Sequence, residues 1–120
     1  MWYRKAADQG YARAQLNLGV MYADGRGVPK DLGECVKWYR LAADQGYAHA
    51  QYNLGLMYVE AEGVPQDFVL AYMWFNLSAA RGYQDAAKRR DLLFPLMTPA
   101  QIAEALKRSR EWKPTTPPPR

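Results

Sequence analysis

The stretch Trp38-Tyr39-Arg40-Leu41-Ala42-Ala43-Asp44-Gln45-Gly46-Tyr47 occurs in this chain more than once. The same pattern opens the chain between Trp2 and Tyr11, and a weaker copy runs from Trp74 to Tyr83. The copies begin at residues 2, 38 and 74, so their spacing is a constant 36 residues. A fixed spacing of this size is the sequence signature of stacked structural repeats. The repeat therefore decides the fold.

Each unit has the pattern of two α-helices. Helix A is predicted from about Ala12 to Asp24, because its apolar residues recur on one helical face, at Ala14, Leu18, Met21 and Tyr22. Helix B is predicted to begin after Val28-Pro29, with Asp31 as its N-cap and Glu34 completing a capping box. Glycine follows each B helix, at Gly10, Gly46 and Gly82. The fold class is therefore all-α.

Two positions of the repeat that hold small residues carry structural expectations. Gly19 and Gly55 occupy the middle of the A helices, where glycine costs about 1 kcal/mol relative to alanine. Their recurrence predicts a close approach by a neighbouring helix. Ala61 stands where the first unit has Gly25, so this turn is expected to close differently or with strain.

The third unit departs from the repeat. Pro95 predicts that the helix beginning near Gln84 stops or kinks near Phe94. A further helix is predicted to begin after Thr98, with Pro99 at its first position, and to end near Trp112. This helix is out of register with the repeat, as expected for a terminal cap. Residues 114–120 are rich in proline and are predicted to form a disordered or polyproline tail.

Bulk properties limit the classes of function. The 120 residues allow one domain, and no apolar run is long enough to cross a bilayer. The net charge of +4 is concentrated after residue 80, where solvated helix faces are favoured over a nucleic-acid surface. Cys35, the single cysteine, is predicted to be a buried core residue. The compartment stays open: cytoplasmic as the sequence stands, periplasmic or secreted if a signal peptide was removed.

The repeated residues resemble the Sel-1-like repeat family, which is related to the tetratricopeptide repeats, in its bacterial type. The resemblance rests on residues most of which recur between Ala50 and Gly82; they are Ala14, Leu18, Gly19, Tyr22, Gly25, Gly27, Val28, Asp31, Trp38-Tyr39, Ala42-Ala43 and Gly46. It implies a right-handed α-α superhelix that serves as a protein–protein interaction module, with no catalytic residues to transfer. The expected domain spans residues 1–113, with a partial repeat at 2–10, repeats at about 11–46 and 47–82, and a degenerate repeat plus capping helix at 83–113.

The residues offer little for catalysis. His49 is the only histidine, and its repeat equivalent is Arg13, so the repeat does not depend on an imidazole. Neither cysteines nor carboxylates have metal-ligand spacing around it. The tryptophans at repeat spacing are typical of core packing. We therefore predict no enzyme activity, no cofactor and no metal site.

A binding surface is predicted on the flank of the A helices opposite the apolar stripe. In helix-pair solenoids the A helices line the concave groove. The asparagines of this strip could hold a peptide backbone, because their amides both donate and accept hydrogen bonds. We call these residues the A-helix strip: Arg13, Leu16, Asn17, Val20, Asp24, His49, Tyr52, Asn53, Leu56, Glu60, Asp85 and Arg89.

Two functions remain open at this point. In the first, a peptide or partner segment binds in the groove, and neither nucleic acid nor membrane insertion is involved. In the second, the repeats extend a larger chain or self-associate without a separate ligand. Residues 2–10 motivate the second, since they would form a B helix without its A partner and could pair in a homodimer. The repeat alone does not identify the partner.

Overall fold

The computed structural model describes residues 2–115, and the side chains from Arg4 onward. Within this part of the chain there are seven α-helices and one 3-10 turn, and no strand. The elements are α1 (Trp2–Asp8), α2 (Ala12–Asp24), α3 (Leu32–Asp44), α4 (Ala48–Glu60), α5 (Phe68–Ala80), α6 (Gln84–Leu93), the 3-10 turn (Phe94–Leu96) and α7 (Pro99–Glu111). The all-α prediction is confirmed. The bounds predicted for the first A and B helices also agree with α2 and α3.

The helices stack as consecutive pairs. Helix α2 packs against α3 and α4 packs against α5, which are the two A–B pairs, while α3 packs against α4 between the pairs. Helix α1 packs on α2 in the position of a preceding B helix. The molecule measures 45 × 30 × 22 Å. This is the architecture of an α-α solenoid of helix pairs.

The two B helices begin in the same way. The Asp31 carboxylate accepts a hydrogen bond from the Glu34 backbone N–H, and Asp67 accepts one from Leu70. These bonds satisfy amide donors that a helix N-terminus otherwise leaves unpaired. A reciprocal capping box forms at α7, where Thr98 and Gln101 bond each other's backbone. The N-caps predicted at Asp31 and Thr98 therefore form.

The glycines within the A helices allow aromatic rings to approach. A Cβ atom on Gly19 would lie 2.6 Å from the ring of Tyr39, and one on Gly55 would lie 2.6 Å from the ring of Phe75. Both rings belong to the B helix of the same pair. The predicted close approach is found, and an aromatic side chain makes it.

The turn after α4 closes with the same geometry as its counterpart after α2. Gly25 and Ala61 are both C-caps in the left-handed region, with φ of 71° and 57° respectively. This conformation costs an alanine about 1–2 kcal/mol because its Cβ crowds the following carbonyl. The turn therefore keeps the geometry of its counterpart, and Ala61 is strained in it.

The core runs between neighbouring pairs as well as within them. Trp38, Trp74 and Cys35 are buried, as predicted. Buried glutamines add a link that the apolar pattern did not indicate: the Gln15 amide donates to the carbonyl of Ala7, and the equivalent Gln51 amide donates to that of Ala43. Each glutamine thereby joins an A helix to the C-terminal end of the preceding B helix.

The C-terminal end follows the predicted departure from the repeat. Helix α6 ends at Leu93, and the chain turns through a short 3-10 segment that contains Pro95. Helices α6 and α7 both pack on α5. Beyond α7, Trp112 meets Trp74 edge-to-face with ring centroids 6.4 Å apart. The Thr115 backbone N–H then donates to the Asp44 carbonyl oxygen at 2.7 Å. The rest of the predicted tail, residues 116–120, lies outside the described residues.

Candidate functional site

The A-helix strip is accessible along three helices, with one exception. Most of its side chains are exposed or half-buried on α2, α4 and α6. Leu16 is only 5% exposed and belongs to the same core cluster as Ala50 and Leu54 of the next A helix. A helical wheel of α2 predicts that only one face is buried. In the structure the next helix pair stacks on α2 and also covers the side that carries Leu16. Placing Leu16 in the binding strip was therefore wrong.

Aromatic rings cover the start of α4. His49 stacks on Tyr83, with ring centroids 5.5 Å apart and an interplanar angle of 20°. Tyr52 lies 5.1 Å from the same Tyr83 ring and 5.9 Å from that of Phe75. Desolvation raises the pKa of the Tyr83 phenol, and the charge of nearby Asp85 adds to the increase. The strip residues His49 and Tyr52 are therefore packed against neighbouring aromatic rings at this end of α4.

A first cavity of about 330 Å³ lies further along the strip, between α2, α3 and α4. Leu32, Leu56 and Met57 contribute apolar wall, while charged side chains stand among the lining residues. The full lining is Ala23, Asp24, Lys30, Leu32, Cys35, Tyr39, Asn53, Leu56, Met57, Glu60 and Glu62. Three strip residues on α4 therefore meet here with one from α2.

Polar groups from three helices also line the first cavity. Burial raises the pKa of the Tyr39 phenol, Cys35 raises it further, and Asn53 lowers it in part. Burial likewise raises the pKa of the Cys35 thiol to about 11, and its hydrogen bond with Tyr39 offsets part of that increase. The Cys35 sulfur is 4.0 Å from that of Met57. Tyr39 thus links the Asn53 amide to the protein core, and Cys35 stays a protonated thiol at neutral pH.

A second, smaller cavity of about 120 Å³ adjoins the first between α4, α5 and α6. Leu92 and Leu96 at its edge are 67% and 66% exposed. Its full lining is Leu56, Val59, Glu60, Phe75, Arg89, Leu92, Leu93 and Leu96. Leu56 and Glu60 line both cavities, so these residues form a shared wall.

The carboxylates at the first cavity differ in their neighbours. Asp24 pairs with Arg26 of its own turn at 3.7 Å. In the next repeat Glu60 replaces Asp24 and Glu62 replaces Arg26. A hydrogen bond with Glu62, together with desolvation and the charge of Glu62, raises the pKa of Glu60, and Arg89 opposes this in part. Where the first repeat has an ion pair between Asp24 and Arg26, the second repeat therefore has two neighbouring carboxyl groups, those of Glu60 and Glu62.

The cavities include only part of the predicted strip. Asp24, Asn53, Leu56, Glu60 and Arg89 line one cavity or both, and the remaining strip residues line neither. Sequence reasoning missed Lys30 and Glu62, which lie in turns that the helical wheel does not cover. The sequence does contain a signal for Glu62, because an acidic residue there replaces Arg26, its basic equivalent in the first repeat.

The described residues contain no grouping of three or more His, Cys, Asp and Glu side chains that could hold a metal ion. Among the described helices, none combines the length and apolar character required to cross a membrane. What the two cavities offer is a mixture of aliphatic wall, amide and carboxylate, which is suited to side-chain recognition.

These features define an α-α solenoid of helix pairs with two adjoining cavities along its A helices. The Sel1 repeat pattern matches residues 1–11, 12–47 and 48–83. The chain belongs to the Sel1 repeat family. The resemblance in the repeated residues is thereby confirmed.

Two solved bacterial structures are similar to this chain over most of its length. One is a protective antigen present in uropathogenic Escherichia coli strains, described as displaying an SLR fold, with a TM-score of 0.89 and 35% identity. That similarity covers 92% of this chain and 24% of the antigen. The other is a Sel1 repeat protein from Oxalobacter formigenes, with a TM-score of 0.74 and 48% identity over 75% of this chain and 68% of that one. A bacterial origin fits these neighbours.

Two curated mammalian proteins match a single repeat length. DAP3-binding cell death enhancer 1 from rat and from mouse are 49% and 46% identical to this chain over 35 residues. The match covers 29% of this chain and only 7% of each relative. Taken with the family and the fold, the comparisons support a protein–protein interaction repeat module of a non-catalytic scaffold family.

Proposed function

We propose that residues 1–113 form one interaction domain that binds a peptide segment of a partner protein along the A-helix strip. The proposal involves no catalytic step, cofactor, metal, nucleic acid or membrane insertion. The observation that carries it is the pair of adjoining cavities on the strip, which share Leu56 and Glu60. One extended segment laid over that shared wall would place a side chain in each cavity.

The amide of Asn53 supplies the main-chain recognition in this proposal. It lines the first cavity close to the Tyr39 phenol, and this packing restricts the side chain before any ligand binds. Orientation in advance reduces the entropy lost on binding. Asn17 is the equivalent residue in the first repeat and lines neither cavity.

This difference gives a matched test. Binding of the purified chain to a synthetic peptide array identifies ligands, and their affinities are then measured for Asn53→Ala and Asn17→Ala. Loss of one hydrogen bond is expected to weaken binding to Asn53→Ala about fivefold, with a smaller change for Asn17→Ala. Unchanged binding by Asn53→Ala would overturn the proposed site, and an array without ligands would overturn the proposed function.

Self-association is the second candidate function. Helix α7 packs on α5, and Leu77 on α5 is half-buried, whereas the equivalent Leu41 on α3 is 40% exposed. A cavity of about 510 Å³ lies beside Leu41 and Trp38, bordered by Ala7 and Gly10. A second copy or a further repeat could cover this open face of α3. Sedimentation velocity over a hundredfold range of concentration tests the idea, and a monomer throughout would exclude it.

A further inference from the structure

The charges around the first cavity indicate what kind of peptide it accepts. In the first repeat, Asp24 carries its own counter-ion in Arg26, with side chains 3.7 Å apart. In the second repeat the position of Arg26 is taken by Glu62, so Glu60 lies beside another acid, and Arg89 of the adjoining cavity offsets this only in part. Among the residues that line the first cavity, three carboxylates (Asp24, Glu60 and Glu62) stand against one cation, Lys30. Like charges in contact disfavour ionisation of both groups, and a cation placed beside them removes that penalty.

The walls of the two cavities define the rest of the ligand. Beside the carboxylates, Leu32, Leu56 and Met57 offer aliphatic surface for the carbon chain of a long side chain. Lysine and arginine bury such stems while keeping the charged group near solvent. The second cavity has an apolar wall, and Leu92 and Leu96 at its edge expose about two thirds of their surface. An apolar side chain would cover them.

Building on the proposed function, we propose that the strip recognises a partner segment in which a bulky apolar residue lies close to a lysine or arginine. The apolar side chain occupies the cavity edged by Leu92 and Leu96. The cationic side chain enters the first cavity and pairs with Glu60 and Glu62. Leu56 lies between the two side chains, which requires them to be near one another in the segment.

Both carboxylates are exposed, which limits the strength of this pairing. Exposed ion pairs contribute little affinity and weaken with salt. The cation therefore selects among apolar segments more than it adds affinity. An experiment must therefore resolve a small difference in affinity between segments with and without the cation.

The test uses fluorescein-labelled peptides with one leucine and one lysine at varied separations on a neutral polar background. Matched peptides carry glutamine in place of lysine. Fluorescence anisotropy is expected to give about three- to fivefold tighter binding for lysine peptides at 20 mM salt, with little difference at 500 mM. The variant Glu62→Arg, which restores the charge pattern of the first repeat, is expected to abolish the lysine preference.

Glu111→Arg is the control, because it changes the net charge equally on an exposed residue at the end of α7. It should keep the lysine preference. If peptides bind but both variants retain that preference, or if lysine and glutamine peptides bind equally, the cation assignment is wrong and the groove proposal stands. If Leu92→Ser leaves leucine peptides unaffected, the apolar assignment is wrong. Absence of binding by every peptide would reject the inference together with the proposed function.

Discussion

The ring of Phe75 occupies the space that a side chain on Gly55 would need. A Cβ atom at Gly55 would lie 2.6 Å from the Cε1 atom of that ring. The first repeat has the same relationship between Gly19 and Tyr39. This contact sets how closely the two helices of each pair can approach.

Gly55→Ala is expected to destabilise the protein by about 1–3 kcal/mol, because overpacking the buried ring outweighs the gain in helix propensity. Gly33→Ala serves as the control: Gly33 is exposed on α3, and the second repeat has Val69 at that position. This change is expected to be neutral or slightly stabilising. Urea unfolding of both variants checks the prediction, and equal effects would contradict it.

Ala61→Gly is expected to stabilise the protein by about 1 kcal/mol, because glycine adopts the left-handed C-cap without steric cost. The reciprocal change Gly25→Ala should destabilise it by a similar amount. Thermal unfolding of both variants measures the difference. A lower melting temperature for Ala61→Gly would show that the turn is not strained.

Sequence reasoning succeeded where one local rule decided the structure. The bounds of α2 and α3 follow from apolar spacing, the Asp31 cap and the terminal glycine residues, all of which act within one turn of the chain. The end of α6 follows from Pro95. The sequence also showed that α7 leaves the repeat register. That α7 packs on α5 could not be predicted, because this is a tertiary contact that no local sequence pattern specifies.

The cavities along the A helices were predicted less completely, for two physical reasons. Leu16 is covered by the neighbouring pair, and a wheel drawn for one helix cannot include that burial. The cavities also depend on side chains from turns, such as Lys30 and Glu62, whose direction is set by the turn geometry. Asn53, Leu56 and Glu60, which the helical wheel placed on one face of α4, do line the first cavity; whether they bind a ligand stays a prediction.

Trp112 joins the end of the chain to two repeats. It packs edge-to-face on Trp74, and the Arg81 guanidinium lies 5.8 Å from its ring centroid. Its side chain also lies near the Asp44 carboxyl, whose pKa burial raises and Trp112 lowers in part. Trp112→Ala is expected to lower stability by about 2 kcal/mol, since a half-buried aromatic residue is lost. Trp112→Phe keeps the ring contacts and should cost less. Chemical denaturation distinguishes them, and an unaffected alanine variant would mean that the contact adds no stability.

Because of Cys35, the free energy of unfolding is expected to fall as the pH rises in the alkaline range. Burial raises the pKa of its thiol from 9.0 to about 11. Below pH 9 the thiol is protonated in the folded and the unfolded chain, so its contribution is fully present. Between pH 9 and pH 11 only the unfolded chain releases the proton, and stability falls as pH rises.

The variant Cys35→Ala isolates this contribution, because the second repeat already has a buried Ala71 at the equivalent position. The phenol of Tyr39 remains in both proteins; burial raises its pKa most and Cys35 raises it further, so Cys35→Ala also removes that smaller part. Unfolding free energies measured from pH 7 to pH 11 should therefore fall more steeply for the parent protein than for Cys35→Ala. Parallel curves would mean that the Cys35 thiol ionises as readily in the folded chain as in the unfolded one, contrary to its burial beside Tyr39 and Met57.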